Sequence, residues 1–288
     1  MHVSVLGFGG AEIGYAEASA RLVAHLLNSA LDAGLNVIDT AECYGTGEEL
    51  IGKTVAHRRK DYYLLTKCGH ADGFRLPDWN PRLLEKTIDR SLKRLRTDYL
   101  DAVQLHSCSE PILGQGEVID VLQRAREAGK TRYIGYSGDS RAALYAVRCG
   151  AFDLLQISVN IADQEAIDLV LPEAKARGLG IIAKRPIANA VWRTGKKPDS
   201  WYEYPYWERL RTLQYDFLKS DLDTAVSTAL RFTSSVPGVH TAIVGTMNPI
   251  RWQQNAAFVA EGTLPKTQYA AIRARWSAVA GADWVGQE

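Results

Sequence analysis

The stretch VIDTAECYG, residues 37–45, decides the fold class, because it joins a buried apolar run to a carboxylate, Asp39, and a phenol, Tyr44. Similar short runs rich in Val, Ile, Leu and Tyr recur along the chain, and each is short enough for one β-strand. The predicted strands comprise residues 3–10, 36–40, 62–67, 99–106, 132–137, 152–160, 179–184 and 241–245. Asp39 would therefore lie at the end of the second of eight strands.

Helical periodicity fills the segments between these runs. Residues 20–34 carry apolar side chains on one face before Gly34, and residues 81–95 begin with Pro81, a residue favoured in the first turn of a helix. Steady alternation of strand and helix predicts a parallel sheet covered by helices, and eight strands close a (β/α)8 TIM barrel. We expect one α/β domain over residues 1–288, with a long loop after strand 7 and a C-terminal helical tail.

Composition limits the partners of the protein. Lys and Arg number 34 against 33 Asp and Glu, so no net charge draws the chain to nucleic acid or to an anionic membrane. No apolar run approaches the roughly 18 residues of a membrane span, and no basic segment precedes an apolar one at the N-terminus. We therefore expect a cytoplasmic protein that binds a small molecule. Composition does not decide whether the chain forms a homo-oligomer.

The four cysteines show neither a disulfide scaffold nor a metal site. Three of them, Cys43, Cys68 and Cys108, lie close to strand ends. Zinc ligands usually come in close sequence pairs, and the chain has no C-x-x-C pair. We expect reduced thiols and no metal.

Two segments lie outside the barrel pattern. The link between Lys184 and Asp221 is longer than thirty residues, and a loop of this length is usually functional, so we expect a lid. At the N-terminus the chain enters the first strand with nothing to cover the bottom of the barrel. We expect the C-terminal tail, with Trp276 and Trp284, or a partner subunit to cover it. The aromatic residues of the link are Trp192, Trp201, Tyr202, Tyr204, Tyr206 and Trp207.

Polar side chains end three successive strands, where the βα loops of such a barrel form the active-site bowl. Asp39, Lys67 and His106 end the second, third and fourth strands, and Tyr44 lies in the loop after the second. A buried ammonium needs a carboxylate, so Asp39 would pair with Lys67, either as a purely structural pair or within a site. In a site, Lys67 would lower the pKa of Tyr44, and His106 would hold the oxygen that receives the phenol proton.

These residues resemble the signature of a known family. The motifs VIDTAECYG, LLTK and DAVQLH, in this order and spacing, resemble those of the aldo-keto reductases, whose Asp, Tyr, Lys and His lie on successive strands of a (β/α)8 barrel. LGFGG at the first strand, GKTRYIGYS at residues 129–137, Gln156 and GTMNPIRWQQN at residues 245–255 extend the resemblance over essentially the whole chain. The resemblance implies NADPH-dependent reduction of an aldehyde or ketone without a metal, or the reverse oxidation.

The resemblance also implies a role for each matched residue. Tyr44 would be the general acid, Lys67 with Asp39 would lower its pKa, and His106 would orient the carbonyl oxygen. The implied cofactor-binding positions are Gly9, Gly10, Asp39, Ser137, Gly138, Gln156, Lys184, Arg185, Pro186, Gly245, Thr246, Met247, Arg251, Gln254 and Asn255.

The segment after the eighth strand is implied to hold the adenosine half of the cofactor. Asn248 and Pro249 begin a helix whose N-terminus would attract phosphate. Taken alone, Arg251 would be interpreted as a solvated helix arginine. It lies, however, where the family carries an arginine for the 2′-phosphate, which favours NADP(H) over NAD(H). Gln254 and Asn255 align with residues that contact adenine.

The sequence departs from the family pattern at two places. The seventh strand usually ends in an aromatic residue that stacks on the nicotinamide, whereas this chain has Lys184 and Arg185 there. Either one of these cations contacts the pyrophosphate while an aromatic of the loop covers the ring, or both pair with loop carboxylates such as Asp199 or Glu203. Gly138 replaces an asparagine that many members have after the serine, which puts one carboxamide contact in doubt.

Two other functions stay open. The potassium-channel beta subunits use the same barrel as a low-turnover NADP(H)-binding module. Schiff-base aldolases use lysines at barrel strand ends, and here Lys67 or Lys184 would be the nucleophile. Pairing with Asp39 weighs against a neutral amine at Lys67, whereas Lys184 has no evident acid partner in the sequence. The aromatic-rich loop favours a flat or apolar carbonyl compound or a sugar as substrate, and composition does not choose between them.

Overall fold

The computed structural model describes residues 1–16 and 18–287. In this part of the chain eight parallel strands form a closed barrel in chain order, and the last strand pairs with the first. The strands are β1 (Leu6–Gly9), β2 (Val37–Asp39), β3 (Tyr63–Cys68), β4 (Leu100–His106), β5 (Thr131–Ser137), β6 (Leu154–Ser158), β7 (Gly180–Lys184) and β8 (Thr241–Val244). The prediction of a (β/α)8 TIM barrel is confirmed, and each predicted strand overlaps an observed one.

Helices surround the barrel. They are α1 (Ala11–Tyr15), α2 (Ala20–Asp32), α3 (Gly47–Val55), α4 (Pro81–Leu95), α5 (Glu110–Gln115), α6 (Glu117–Glu127), α7 (Ser140–Cys149), α8 (Glu165–Leu169), α9 (Leu171–Ala176), α10 (Tyr204–Leu213), α11 (Leu222–Ser234), α12 (Pro249–Ala260) and α13 (Lys266–Val279). Short 3-10 segments lie at Ala56–Asp61, Ala188–Ala190 and Asp216–Lys219. Over the described residues, no helix is both long and apolar enough to cross a membrane.

Residues before β1 close the bottom of the barrel, the end where the strands begin. An apolar cluster fills the barrel interior there, and Val3, Tyr63 and Tyr133 pack against it. The side chain of Asn36 accepts from the amide of Ser4 at 2.6 Å and ties this N-terminal segment to the start of β2. The expectation that the C-terminal tail closes the bottom is therefore wrong, because residues before β1 pack there instead.

The link after β7 is only partly a loop. Irregular structure and one short 3-10 segment extend over residues 185–203, and α10 follows. Tyr206 of α10 is fully buried, whereas Trp201 in the loop is 80% exposed. The sequence pattern missed α10 because its aromatic side chains do not follow a clean helical period.

Candidate active site

Lys67 and Asp39 form a buried ion pair at the top of the barrel, where the strands end. Nζ of Lys67 lies 2.5 Å from Oδ2 of Asp39 and donates to the carbonyl oxygen of Thr40 at 2.8 Å. Both charged side chains are only 2% exposed. Nε2 of Gln104 donates to the second carboxylate oxygen at 3.1 Å, so both charges have partners inside the protein. The expected pairing of Lys67 with Asp39 is present.

Gln104 is a site residue that the sequence analysis did not identify. It lies on β4 two positions before His106, and residues two apart on a strand face the same side. The sequence feature that indicates Gln104 is a polar residue within an apolar strand, on the same face of the strand as His106.

Tyr44 lies next to both Lys67 and His106. Its ring centroid is 5.2 Å from the Lys67 ammonium and 5.6 Å from the His106 ring, which it meets edge to face. Within the described residues nothing forms a hydrogen bond with the Tyr44 hydroxyl, which leaves this oxygen to a ligand. The structure thus brings together all four residues that the sequence analysis named as catalytic.

Burial keeps the Tyr44 phenol protonated. Desolvation is the main reason that the pKa of Tyr44 lies well above its usual value of 10, and the negative charge of Asp39 adds to the rise. The positive charge of Arg185 acts in the opposite direction but is outweighed. The expectation that Lys67 brings the pKa of Tyr44 below its usual value is wrong for this structure, because burial and the charge of Asp39 outweigh the positive charges around the phenol.

His106 is neutral. Burial lowers its pKa well below 6.5, and the neighbouring Lys67 and His70 lower it further. Nδ1 of His106 lies 3.5 Å from Sγ of Cys43, the residue before Tyr44. A neutral imidazole has one N–H donor and one acceptor nitrogen, so its hydrogen-bond partners decide what it offers to a ligand.

Lys184 is tied to a carboxylate that the sequence did not indicate. Its Nζ lies 2.8 Å from Oδ2 of Asp139, which follows β5, and the Lys184 side chain is 12% exposed. Within the described residues neither Asp199 nor Glu203 pairs with Lys184. The expectation of loop carboxylates is therefore wrong, as is the interpretation that Lys184 lacks an acid partner.

Arg185 is surrounded by neutral oxygen atoms. It donates to the hydroxyl of Tyr202 at 2.5 Å, to Oγ of Ser158 at 3.0 Å and to the carbonyl of Gln287 at 2.5 Å. Its guanidinium carbon lies 4.5 Å from the ring centroid of Tyr202. An aromatic residue of the loop thus reaches the end of β7, although it covers an arginine, and the loop carboxylates do not pair with Arg185 either.

The last described residues lie against the top of the barrel. The carbonyl of Val285 accepts from Arg209 at 2.7 Å, and the amide of Gly286 donates to Oε2 of Glu165 at 2.7 Å. Together with the bond between Arg185 and Gln287, these contacts place residues 285–287 beside the ends of β6 and β7. The C-terminal tail therefore borders the site and does not reach the barrel bottom.

Ser137 and Gln156 face each other across β5 and β6. Oγ of Ser137 donates to Oε1 of Gln156 at 2.9 Å, and in the described chain the buried Nε2 of Gln156 has no partner. A Cβ on Gly138 would lie 2.3 Å from the hydroxyl of Tyr136. The structure therefore explains the departure from the family pattern, since Tyr136 fills the space that an asparagine would need.

Two glycines form a narrow gap between β1 and β8. A Cβ on Gly9 would lie 3.4 Å from the amide nitrogen of Gly245, and one on Gly245 would lie 3.1 Å from the carbonyl of Gly9. Thr246 is buried and Met247 is partly buried beside this gap. The amide of Gly10 donates to the carbonyl of Asp39 at 2.7 Å. The two glycines thus allow the end of β1 and the segment after β8 to approach each other closely.

Of the residues implied to bind nucleotide, α12 carries three. Arg251 pairs with Asp223 at 3.2 Å and stays 35% exposed, and Gln254 is partly buried. Asn255 is fully buried, and both of its amide atoms lack a partner in the described chain. Asn248 caps the helix as predicted, and its side chain accepts from the amide of Ile250 at 3.0 Å. The amide of Ile250, at the helix N-terminus expected to attract phosphate, thus already donates to a side chain of the protein.

Pro186, which follows the end of β7, is buried. Its carbonyl accepts from Oγ1 of Thr233 on α11 at 2.8 Å. Among the described residues, no three His, Cys, Asp or Glu side chains group as a metal site would require.

Comparison with protein families gives one match over nearly the whole chain. The model of the aldo/keto reductase family matches residues 5–277. L-galactose dehydrogenase of Arabidopsis thaliana is 28% identical over 278 residues, which cover 91% of this chain and 86% of that protein.

Solved structures show the same fold. The holo form of an aldo-keto reductase from Bacillus halodurans superposes with a TM-score of 0.83 over 99% of this chain and 96% of that one, at 24% identity. An aldo/keto reductase from Klebsiella pneumoniae, in complex with NADP and acetate, gives a TM-score of 0.75 over 99% of this chain and 96% of that one, at 23% identity.

The loop that carries Tyr44 packs on α1 with no room for a side chain between them. A Cβ on Gly14 of α1 would lie 2.0 Å from the carbonyl oxygen of Tyr44. Gly14 has no signal in the sequence, because contacts between backbones leave no periodic pattern.

Gly14→Ala should therefore lower the free energy of unfolding by about 2 kcal/mol or more, since the methyl group must displace backbone. The matched control is Gly114→Ala in α5, where a Cβ meets only the Tyr145 hydroxyl at 3.7 Å and should be neutral or slightly stabilising. Unfolding in urea measures both variants. Equal free energies for the two variants would show that the packing of Tyr44 on α1 is not tight.

Proposed function

The chain belongs to the aldo/keto reductase family, and on this premise we propose that it catalyses the NADPH-dependent reduction of an aldehyde or ketone to an alcohol. In the reverse direction it would oxidise the alcohol. The observation that carries the proposal is the protonated Tyr44 phenol, whose free hydroxyl lies beside a neutral imidazole and a compensated ammonium.

Tyr44 is the general acid of the proposed reaction. A group that donates a proton at neutral pH must hold it beforehand, and the raised pKa of Tyr44 ensures this. The chemistry that NADPH would supply when bound is a hydride for the carbonyl carbon. As negative charge develops on the carbonyl oxygen, Tyr44 transfers its proton to that oxygen.

His106 and Lys67 act on the same oxygen in different ways. His106, neutral and at the edge of the Tyr44 ring, donates a hydrogen bond that holds the carbonyl in place. Lys67 lies 5.2 Å from the Tyr44 ring centroid, so its charge stabilises the phenolate that forms when the proton leaves. Asp39 and the carbonyl of Thr40 hold the ammonium in position for this role.

Several features support NADP(H) as the cofactor. The unpartnered Nε2 of Gln156, beside Ser137, suits a carboxamide oxygen, because a buried N–H group without a partner is costly. Arg251 suits a 2′-phosphate, and the structural neighbour from Klebsiella pneumoniae holds NADP.

Observations weigh against the two alternatives. A Schiff-base aldolase needs a neutral lysine, and both Lys67 and Lys184 are paired with carboxylates. Burial does lower the pKa of Lys184, but Asp139 opposes the shift. A binding module with little turnover would not need the assembled group of Asp39, Tyr44 and His106.

The substrate is proposed only by class. L-galactose dehydrogenase, a relative over most of the chain, acts on a sugar. Tyr15 and Tyr202 lie near Tyr44, and Trp79 packs on His70, which meets His106, so these rings offer aromatic and polar surface beside the site. An initial panel should therefore contain aldoses beside small aromatic and aliphatic aldehydes. Borohydride trapping on the same panel would expose any Schiff base.

Tyr44→Phe should lower the rate of carbonyl reduction by about a hundredfold or more and leave NADPH affinity nearly unchanged, because it removes only the proton donor. Tyr133→Phe is the matched control, since it removes a phenol at the bottom of the barrel. Steady-state kinetics and tryptophan fluorescence titration give the two quantities. Full activity of Tyr44→Phe would eliminate the assigned acid.

Arg251→Ala should weaken NADPH binding about ten- to a hundredfold and NADH binding far less, because only NADPH carries the 2′-phosphate. Asp223→Asn offers a complementary variant, since it frees the guanidinium and should leave NADPH binding unchanged or tighter. Fluorescence titration with both cofactors measures these effects. Equal weakening of NADPH and NADH by Arg251→Ala would overturn the assignment.

A further inference from the structure

The thiol of Cys43 touches the imidazole that the proposed reaction uses. Sγ of Cys43 lies 3.5 Å from Nδ1 of His106, although the two residues are far apart in the sequence. Hydrogen bonds of the loop fix this placement, since the amide of Glu42 donates to the carbonyl of Lys67 at 3.1 Å and that of Tyr44 donates to Ala41 at 3.1 Å. The turn that places the phenol therefore also places the thiol.

Only one hydrogen atom lies between the sulfur of Cys43 and Nδ1 of His106. Burial raises the pKa of the Cys43 thiol to about 11, and burial lowers that of His106 well below 6.5. Both groups are therefore neutral near pH 7, and either the thiol or Nδ1 carries the hydrogen between them. An imidazole nitrogen is a stronger acceptor than a sulfur atom, so the arrangement in which the thiol donates is favoured.

The second ring nitrogen of His106, Nε2, is open to a ligand. Among the described residues Nε2 has no hydrogen-bond partner, and this nitrogen is not fully buried. In a neutral imidazole, the hydrogen bond at one nitrogen decides which nitrogen carries the proton. A thiol that donates to Nδ1 therefore leaves the proton on Nε2.

We propose that Cys43 is a positioning residue, whose thiol donates to Nδ1 of His106 and thereby makes Nε2–H a hydrogen-bond donor aimed at the substrate carbonyl oxygen. The role of the carbonyl rests on the proposed function, whereas the tautomer of His106 does not. Without the thiol, the proton would distribute between the two nitrogens, and Nε2 would be an acceptor in part of the molecules. An acceptor cannot hold a carbonyl oxygen.

Other charged groups around His106 keep the ring neutral without selecting a nitrogen. Lys67 from β3, His70 from the following loop, and Lys184 and Arg185 from the end of β7 all disfavour a second proton on the imidazole. His70 meets the ring at a centroid distance of 5.1 Å, and its Nδ1 lies 3.1 Å from Asp78. Among the described residues none of these groups forms a hydrogen bond with the His106 ring, so Cys43 is the partner that distinguishes its two nitrogens.

Nitrogen-15 NMR of the histidine ring in the wild-type protein without cofactor tests the tautomer directly. At pH 7 we expect the signals of a neutral ring with the proton on Nε2, and His106→Gln identifies which signals belong to this residue. A proton on Nδ1 would overturn the proposal, whether or not the protein reduces any carbonyl compound. An absence of turnover with the Nε2–H tautomer present would instead contradict the proposed function alone.

Variants of Cys43 test the consequence for catalysis. Cys43→Ala should lower kcat about tenfold, leave the dissociation constant of NADPH unchanged and shift the His106 signals toward a mixture of tautomers. Cys43→Ser keeps a donor and should restore both the tautomer and kcat to within about threefold of the wild type. Cys108→Ala is the control, because its thiol lies 3.8 Å from the carbonyl of Ser109 and does not touch the ring.

The kcat of each Cys43 variant and the tautomer of its His106 together test the positioning role. A lower kcat of Cys43→Ala with an unchanged His106 tautomer would show that the residue acts only by packing, which overturns the positioning role. Equal losses in Cys43→Ala and Cys43→Ser would do the same, since the serine hydroxyl is also a donor.

Discussion

The buried ion pair between Asp39 and Lys67 is the interaction on which the arrangement of the site depends. Two opposite charges, each 2% exposed, lie 2.5 Å apart at the ends of neighbouring strands. Removal of either partner would leave a buried charge without compensation, at a cost of about 3–5 kcal/mol. Gln104 and the carbonyl of Thr40 complete the coordination, so the pair is held on all sides. The loop that carries Tyr44 starts directly at this fixed point.

The compensation of the ammonium determines the protonation of its neighbours. Because Asp39 takes up the positive charge, burial dominates at Tyr44 and its pKa rises. Burial also dominates at His106 and Cys43, so all three groups are neutral and can donate hydrogen bonds. A site built in this way has its proton in place before a carbonyl compound arrives. No catalytic group has to gain or lose a charge before the reaction, so the site does not reorganise for it.

The sequence predicted the features that depend on a local pattern of apolar and polar residues. The eight strands, the span of α4 and the residues Asp39, Lys67 and His106 follow from apolar runs that end in polar side chains. It did not predict contacts between distant backbones, such as those of Gly14 with Tyr44 or of Arg185 with Gln287. Such contacts depend on how loops of neighbouring strands meet, and neither periodicity nor spacing records this. The direction of the Tyr44 pKa was also missed, because it depends on burial depth more than on the nearest charge.

The dependence of both reaction directions on pH, measured for the chemical step in single turnovers, tests the central claim most directly. Reduction needs the protonated phenol, so with a pKa well above 10 its rate should stay level between about pH 6 and pH 9. Oxidation of the alcohol needs the phenolate, so its rate should rise about tenfold for each pH unit over the same range. A reduction rate that falls through neutral pH, with an oxidation rate that levels off there, would contradict the account, because Lys67 would then lower the pKa of Tyr44 despite its pairing with Asp39.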